Sequence, residues 1–301
     1  MTKVVQTPIF LIWQVPTCIK YGYTCKVIQD SLNHKKVVVI TGSSSGIGEA
    51  LAFEYASEGS RLVLAARNIA KLTELGNTLR KIGAEVLEVE TDVSREEDCK
   101  QLIDKAISRF GGIDILINNA GISMRALFSE MNLDVMRQLM EVNFWGTVYC
   151  TKYALPFLLS SKGSVVGVIS IAGYIGLPGR SGYSASKYAI RGFLDTLRTE
   201  NLKTGLHVLI AAPGFTASNI RNVALTADGS TQGETPRIEA NMMSARKVAS
   251  CIRKAVDKRK RTLILTFVEG KFTVFLSKFF PTLLDKLTYN HMAKEHNSPF
   301  K

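Results

Sequence analysis

The chain contains no run of apolar residues long enough to cross a bilayer as a helix, a task that takes about 20 of them. The nearest approach, Ile9, Phe10, Leu11, Ile12 and Trp13, is broken at once by Gln14 and Pro16. The same leader makes a poor export signal, because only Lys3 precedes its apolar run and no clear small-residue cleavage site follows. Cysteine is scarce. The five present, Cys18, Cys25, Cys99, Cys150 and Cys251, are odd in number and never stand at Cys-x-x-Cys spacing. That argues against a disulfide framework and suggests a reducing compartment, hence a cytoplasmic location. His34, His207, His291 and His296 also lack ligand spacing, so no metal site is expected. Acidic residues are the minority charge, 26 against 38 basic ones, and the net +12 raises the question of nucleic acid or an anionic membrane. The excess is scattered. Its densest cluster, 254–261, lies where a helix ends and a strand begins, a place that suits basic side chains, and no nucleic-acid-binding module accompanies it. Nucleic acid is therefore not an expected partner.

What is present is alternation. A chain of 301 residues, 46% of them apolar, is long enough for one large core. Residues 36–41 read as a strand, 46–57 as a helix closed near Gly59, 61–65 as a second strand and 68–81 as a helix closed by Gly83. Further strands are predicted near Glu85, Ile113, Ser164, Leu206 and Thr262. The runs Ile113-Asp114-Ile115-Leu116-Ile117 and Val165-Val166-Gly167-Val168-Ile169 are almost continuously apolar, as strands covered on both faces must be. This order implies an α/β fold with a doubly wound parallel sheet of the Rossmann type. Ligands of such sheets bind beyond the carboxyl ends of the strands, and Gly42, Asn119, Ser170 and Pro213 each fall just after a predicted strand.

Two clusters of residues carry chemistry. Thr41-Gly42-Ser43-Ser44-Ser45-Gly46-Ile47-Gly48 directly follows the apolar run Val37-Val38-Val39-Ile40. A strand turning sharply into a helix presents free backbone N–H groups and the positive end of the helix dipole, which together welcome a pyrophosphate. Gly42 permits the turn, while Gly46 and Gly48 permit close approach. Far downstream, Tyr183 and Lys187 stand four residues apart and so share one helix face. There the Lys187 ammonium favours the phenolate of Tyr183. A phenol titrates near 10, and lowering it by two or three units takes about 3–4 kcal/mol, which one ammonium and a cationic nicotinamide could supply together.

With Thr91-Asp92-Val93, Asn118-Asn119-Ala120-Gly121, Asn143, Ser170 and Pro213-Gly214 added in order, the sequence resembles the classical short-chain dehydrogenase/reductase family over residues 36–267. The resemblance implies a catalytic tetrad of Asn143, Ser170, Tyr183 and Lys187. Ser170 would hydrogen-bond the substrate carbonyl, Tyr183 would deliver the proton, and Lys187 would also hold the nicotinamide ribose. Asn143 would hold a water linking Lys187 to solvent. It likewise implies cofactor contacts from Gly42, Ser44, Ser45, Gly46, Ile47, Gly48, Arg67, Asp92, Val93, Asn119, Ala120, Gly121, Tyr183, Lys187, Pro213, Gly214 and Thr216. Asp92 and Val93 would meet adenine, and 119–121 the adjacent ribose. A homo-oligomer, dimer or tetramer, formed through the helices around Asn143 and Tyr183 is implied as well. The expected activity is interconversion of a ketone or aldehyde with its alcohol. A non-catalytic dinucleotide sensor or scaffold is the rival class, and the complete tetrad argues against it. Epimerases and dehydratases of the same fold would use a long carboxyl-terminal substrate domain, which has no counterpart here.

Three segments lie outside these motifs. Residues 1–34 are expected to be a disordered extension or absent from the working protein, followed by a catalytic domain over 35–268 and an amphipathic extension over 269–301. In that extension Val268, Phe272, Phe275, Leu276, Phe279, Phe280, Leu283, Leu284 and Leu287 recur at helical spacing with Lys271, Lys278 and Lys286 among them. Packing on the body or a partner subunit is favoured for this stripe over walling the substrate pocket or resting on a membrane surface. Residues 215–243 are expected to form a lid over the site, in which Phe215, Ile220, Leu225, Met242 and Met243 either line an apolar pocket or, at least as readily, pack onto the body. With Tyr174, Ile175 and Leu177 they hint at an apolar small-molecule substrate.

The cofactor preference rests on one dipeptide. About twenty residues past the glycine turn a dinucleotide fold reads the adenosine ribose, and an acidic side chain there binds the 2′-hydroxyl and repels a phosphate. Here Ala66 and Arg67 occupy the place, and Arg67 offers a planar donor fork suited to phosphate, so NADP(H) is predicted over NAD(H). Ala66→Asp combined with Arg67→Gln is expected to shift preference toward NADH in nucleotide titrations. Unchanged selectivity would count against the assignment.

Overall fold

Every residue of strand β1, Val37–Thr41, is buried, because helices cover both faces of the sheet and strands flank it on both sides. The computed structural model describes residues 35–235 and 242–300; the predicted extension over 1–34 lies outside them. After β1 come α1 (Gly46–Ser57), β2 (Arg61–Ala66), α2 (Ile69–Lys81), β3 (Glu85–Glu90), α3 (Glu96–Phe110) and β4 (Ile115–Asn118). The second half adds α4 (Leu133–Leu139), α5 (Gly146–Ser160), β5 (Ser164–Val168), α6 (Ser181–Glu200), β6 (His207–Ala212), the short β7 (Thr216–Ala217) and β8 (Met243–Ser244), α7 (Ala245–Asp257), β9 (Thr262–Ile264), α8 (Thr273–Phe279) and α9 (Pro281–Ala293). Among the described residues the sheet has seven strands in the order β3-β2-β1-β4-β5-β6-β9, and each of its pairings is parallel. This is the predicted doubly wound α/β fold of the Rossmann type, carrying two further helices at its carboxyl end.

Alternating side chains of the strands build two cores. Val37, Val39, Val63, Leu116 and Val165 face α3, α5 and α6 with Leu102, Leu158 and Leu194. Val38, Ile40, Leu62, Leu64 and Ile117 face α1, α2 and α7 with Leu51, Leu72 and Ile252. The period of two in a pleated strand is enough to sort them.

The order reverses between β1 and β4, and there the chain is stitched across the crevice. Thr41 Oγ1 accepts hydrogen bonds from the backbone N–H groups of Asn119 and Ala120, each at 3.1 Å. In return the Asn119 amide donates to the carbonyl oxygens of Thr41 at 3.0 Å and Gly42 at 3.1 Å. Gly42 takes φ +66° to make the turn. At Gly48 a Cβ would stand 2.2 Å from the Gly42 carbonyl oxygen, so α1 runs closer to the turn than any side chain permits.

Gly48→Ala must push α1 off the turn and is expected to destabilise the fold by about 1–3 kcal/mol in urea unfolding. Gly112→Ala, where a Cβ would meet nothing within 4 Å, serves as the near-neutral control.

Candidate active site

A single cavity of about 1270 Å³ opens beyond the carboxyl ends of the strands and runs from Arg67 to the carboxyl-terminal helix residue His291. The glycine turn is part of its lining. Ser45 stands at the N-cap of α1 and makes no capping hydrogen bond with its side chain, which leaves the first-turn N–H groups to a ligand. Glycines that no Cβ could replace and an uncapped 12-residue helix together fit the pyrophosphate of a dinucleotide.

Toward the end of β2, Ala66 is buried and Arg67 is exposed at the cavity edge. The next residue, Asn68, caps α2 by accepting the Lys71 N–H at 3.0 Å, and this turn of helix brings Lys71 to the same rim. Neither cation has a carboxylate partner among the described residues. Lys71 is a second candidate for a phosphate contact that sequence reasoning did not single out; a cation four residues after Arg67, behind an Asn cap, was the available signal. Asp92 turns its carboxylate to Ser94, accepting from its N–H at 3.0 Å and its hydroxyl at 2.7 Å. Val93 packs so closely beneath Gly146 that a Cβ there would lie 2.9 Å from it.

Opposite the turn, α6 carries Tyr183 and Lys187 into the cavity, and Ser170 follows β5. Lys187 is only 3% exposed. Its Nζ donates to the Val168 carbonyl at 3.2 Å and lies 5.7 Å from the centre of the Tyr183 ring. The expectation that this ammonium brings the phenol down is not met by the protein's own groups. Burial raises the Tyr183 pKa above 10, with a Ser170 hydrogen bond and the positive charge of Arg180 acting in the opposite direction. The same burial lowers Lys187 to about 8, so the lysine loses charge in the very enclosure that was expected to exploit it.

Asn143 is buried and does not line the cavity. It sits in a π-helical turn, Met140–Trp145, inserted between α4 and α5, the kind of irregularity often kept at functional sites. Its Oδ1 accepts the Ile122 N–H at 2.8 Å, and its amide donates to the Ile122 carbonyl at 3.0 Å and to Ser186 Oγ at 2.9 Å. All three contacts position the loop after β4 against α6. A Cβ on Gly121 would come within 3.0 Å of Asn143 Oδ1 and 3.3 Å of Lys187 Nζ, so glycine is what lets a ligand approach the lysine here.

Apart from Gly48 and Asn143, which support the site from behind, the expected residues Gly42, Ser44, Ser45, Gly46, Ile47, Arg67, Asp92, Val93, Asn119, Ala120, Gly121, Ser170, Tyr183, Lys187, Pro213, Gly214 and Thr216 all border the cavity. Asn119 does so with its amide already committed to the turn. Phe215, Ile220, Ile175 and Leu177 line the substrate end as expected. Leu225 instead joins a small core with Met124 and Val135, Met243 packs against the core beside α7, and Tyr174 lies 4.0 Å beneath the Arg191 guanidinium. The carboxyl-terminal stripe divides. Val274, Leu276 and Leu284 join the main core, and Leu276, Leu284, Leu287 and Met292 wall the cavity. Phe275, Phe279, Phe280 and Leu283 stay about half exposed or more, at 49%, 63%, 54% and 50%. Packing and pocket wall are thus shared within one stripe.

Lys187 weakens the fold it serves. Its pKa of about 8 lies below its unfolded value near 10.5, so the unfolded chain binds more protons between these limits and stability rises with pH there. Above about pH 10 Tyr183, shifted upward, contributes with the opposite sign. Lys187→Met is expected to gain up to about 3 kcal/mol at pH 7 and to flatten the rise in Tm from pH 8 to about 10, measured by thermal unfolding across pH.

The model of the short chain dehydrogenase family matches residues 36–228. An 11-beta-hydroxysteroid dehydrogenase A of Sesamum indicum is 44% identical over 187 residues, 62% of this chain and 53% of that protein, so the chain spans about half the length of that relative. Dehydrogenase/reductase SDR family member 7B of Mus musculus is 36% identical over 267 residues, 87% of this chain and 83% of that one. Among solved structures, an alcohol dehydrogenase of Thermococcus sibiricus complexed with 5-hydroxy-NADP superposes with a TM-score of 0.67 at 25% identity, covering 76% of this chain and 94% of its own. A short chain dehydrogenase/reductase of Burkholderia phymatum in complex with NAD gives a TM-score of 0.70 at 24% identity, over 88% and 96%, and shows the shared fold. With the glycine turn, Ser170, Tyr183 and Lys187 around one cavity, the chain belongs to the short-chain dehydrogenase/reductase family of oxidoreductases.

Proposed function

We propose that this protein is an NADP(H)-dependent oxidoreductase that reduces an apolar ketone or aldehyde, or oxidises the matching secondary alcohol. The observation that carries the reading is that Ser170, Tyr183 and Lys187 border the same cavity as the glycine turn and as Arg67 and Lys71, two cations with no carboxylate partner among the described residues. The dinucleotide, when bound, supplies or accepts hydride. Arg67 and Lys71 would hold its 2′-phosphate, and the first turn of α1 its pyrophosphate.

The remaining steps belong to the protein. Ser170 donates a hydrogen bond to the substrate oxygen and holds it toward Tyr183. Because its pKa is raised, Tyr183 is protonated throughout the neutral range, the state needed to give a proton during reduction. As charge moves onto the phenol oxygen, Arg180 and the Ser170 hydrogen bond stabilise it. Lys187, with a pKa of about 8, is close enough to neutrality to pass a proton onward at little expense.

An apolar substrate follows from Ile175, Leu177, Phe215, Ile220, Leu276 and Leu284 around the far end. Likeness to proteins named as hydroxysteroid dehydrogenases supports a bulky alcohol or ketone as the class. For assembly, half-exposed Trp145 in the π-helical turn and Tyr188 in α6, at 40% and 43%, support a homo-oligomer through the helices around Asn143 and Tyr183. The exposed Phe275, Phe279 and Phe280 support peripheral membrane contact more strongly than the sequence did. Binding to liposomes that is equal for the full chain and for one ending before Gly270 would rule that contact out.

Tyr183→Phe tests the chemistry. NADPH-linked turnover over a panel of ketones and aldehydes is expected to fall by about 10²–10⁴-fold, while NADPH affinity in a fluorescence titration changes by no more than about twofold. A substantial residual rate would remove Tyr183 as the acid, and a wild-type preference for NADH would remove the cofactor assignment.

A further inference from the structure

Two carboxylates line the cavity among the described residues, Asp92 and Glu269. Asp92 is occupied by Ser94. Glu269, half-buried, makes no ion pair and no side-chain hydrogen bond among the described residues. The basic side chains that border the same cavity are engaged elsewhere. Arg180 is met at 3.0 Å by buried Glu295 of the carboxyl-terminal tail. Arg221 donates to the Thr216 carbonyl at 2.9 Å and to Thr235 Oγ1 at 3.1 Å. Lys187 donates to the Val168 carbonyl, and the His291 ring lies 6.5 Å from that of Phe215. A carboxylate is thus presented to the cavity with its charge uncommitted.

The backbone holds it there at a cost. Glu269 belongs to a π-helical turn, Phe267–Phe272, which Thr266 enters with φ +66° and ψ 153°, a conformation normally left to glycine. Gly270 is wedged so tightly into the turn that a Cβ would stand 2.1 Å from the Leu265 carbonyl oxygen. Both features press the turn onto Gly214. Thr266 Oγ1 lies 3.0 Å, and Glu269 Oε2 3.6 Å, from where a Cβ on Gly214 would be, and that Thr266 oxygen is buried without a partner. Strain of this kind collects where a site needs a group fixed in advance. The place itself adjoins the reacting centre, because the Pro213 carbonyl accepts the N–H of Ile171, the residue after Ser170, at 3.3 Å. A ring that passes hydride to a carbonyl held by Ser170 and Tyr183 must lie in contact with that carbonyl, hence beside the Pro213-Gly214 turn.

We propose that Glu269 selects the redox state of the cofactor: its carboxylate favours the cationic, oxidised nicotinamide over the neutral, reduced one, and so biases the bound couple toward giving up hydride. This deepens the oxidoreductase reading and rests on it for the identity of the ligand. In reduction the hydride, with its electron pair, goes to the carbonyl carbon while Tyr183 gives its proton to the oxygen. The positive charge left behind on the ring is the one Glu269 stabilises. Without that carboxylate, the charge would develop in a cavity bordered by Lys187, Arg180 and Arg221 with no uncommitted anion to meet it.

The test measures Kd by calorimetry for NADP+, for NADPH and for 2′,5′-ADP, which lacks the nicotinamide, in wild type, Glu269→Gln and Glu269→Asp. Contacts to the adenosine and phosphates are common to both dinucleotides, so the ratio of the NADPH Kd to the NADP+ Kd cancels them. Glu269→Gln keeps the shape and removes the charge. It is expected to weaken NADP+ by about fivefold or more, to change NADPH by no more than about twofold and to leave 2′,5′-ADP as it was. The wild-type ratio is expected to fall as NaCl rises from about 20 mM to about 500 mM, and the ratio in Glu269→Gln to move less. Equal weakening of both dinucleotides is what a structural support or a neutral hydrogen bond would give, and it would overturn the proposal. No change in either would do the same. Should Glu269→Gln fail to fold, Glu269→Asp withdraws the charge by one methylene and must lower the ratio by a smaller factor; an unchanged ratio there defeats the idea. Wild type that binds NAD+ and NADH but not the phosphorylated pair would remove the phosphate assignment alone, and the same ratio is then read with those two. Wild type that binds no nucleotide at all would end the oxidoreductase reading and this proposal with it, a result distinct from any that the Glu269 variants can produce.

Discussion

The tie between the ends of β1 and β4 is the constraint on which this molecule depends. Two adjacent parallel strands whose crossovers lead to opposite faces of the sheet must part at their carboxyl ends, and the crevice left behind is where a ligand fits. Left unsupported, that crevice would expose four backbone polar groups, the N–H of Asn119 and Ala120 and the C=O of Thr41 and Gly42, with no partners. Thr41 and Asn119 satisfy them reciprocally, one through a hydroxyl that takes two N–H groups and the other through an amide that serves two carbonyls. The crevice can therefore be rigid and open at once. The glycines, the uncapped helix and the cavity beyond all assume that rigidity.

Electrostatics at the other wall is governed by enclosure before it is governed by charge pairs. An ammonium near a phenol stabilises the phenolate only to the extent that the ammonium stays charged, and Lys187 is too deeply buried to do so without strain on its own ionisation. The result is a pair whose order is reversed, a tyrosine pushed up above 10 and a lysine pushed down to about 8. Such a pair holds its proton at neutral pH and is ready to hand it over when negative charge develops nearby. Arg180 adds a positive charge on the same side, moderated by the carboxylate of the tail.

Most of this could be read from the chain before any coordinates. Strand positions followed from apolar runs bounded by turn residues, and the predicted 46–57 helix coincides with α1. The glycine turn and the Tyr183, Lys187 spacing were legible because local geometry alone gives them meaning. Other features were not, and each for a physical reason. The π-helical turn at Asn143 has no signature in hydrophobic period, since one extra residue per turn is absorbed by packing against α6. Tyr174 looked like a pocket residue, yet Arg191 claims its ring. The bond from the Asn119 amide to a carbonyl 78 residues away had no local sign either, although Asn119 does border the cavity. The fate of the carboxyl-terminal stripe could not be divided among core, cavity and surface because its period says only that one face is apolar. Contacts such as Arg180 with Glu295, 115 residues apart, are set by tertiary folding and leave no trace in local sequence.

The continuity of the cavity has a consequence for ligand design. From Arg67 to His291 the described residues line one continuous cavity that includes both the nucleotide end and the substrate end. A single synthetic molecule bearing a phosphate for the first and an apolar body for the second would lose its translational and rotational freedom once, where two separate ligands lose it twice. Selectivity among relatives sharing the glycine turn would then reside in the half of such a molecule that meets α8 and α9, the part of this chain beyond the matched family segment.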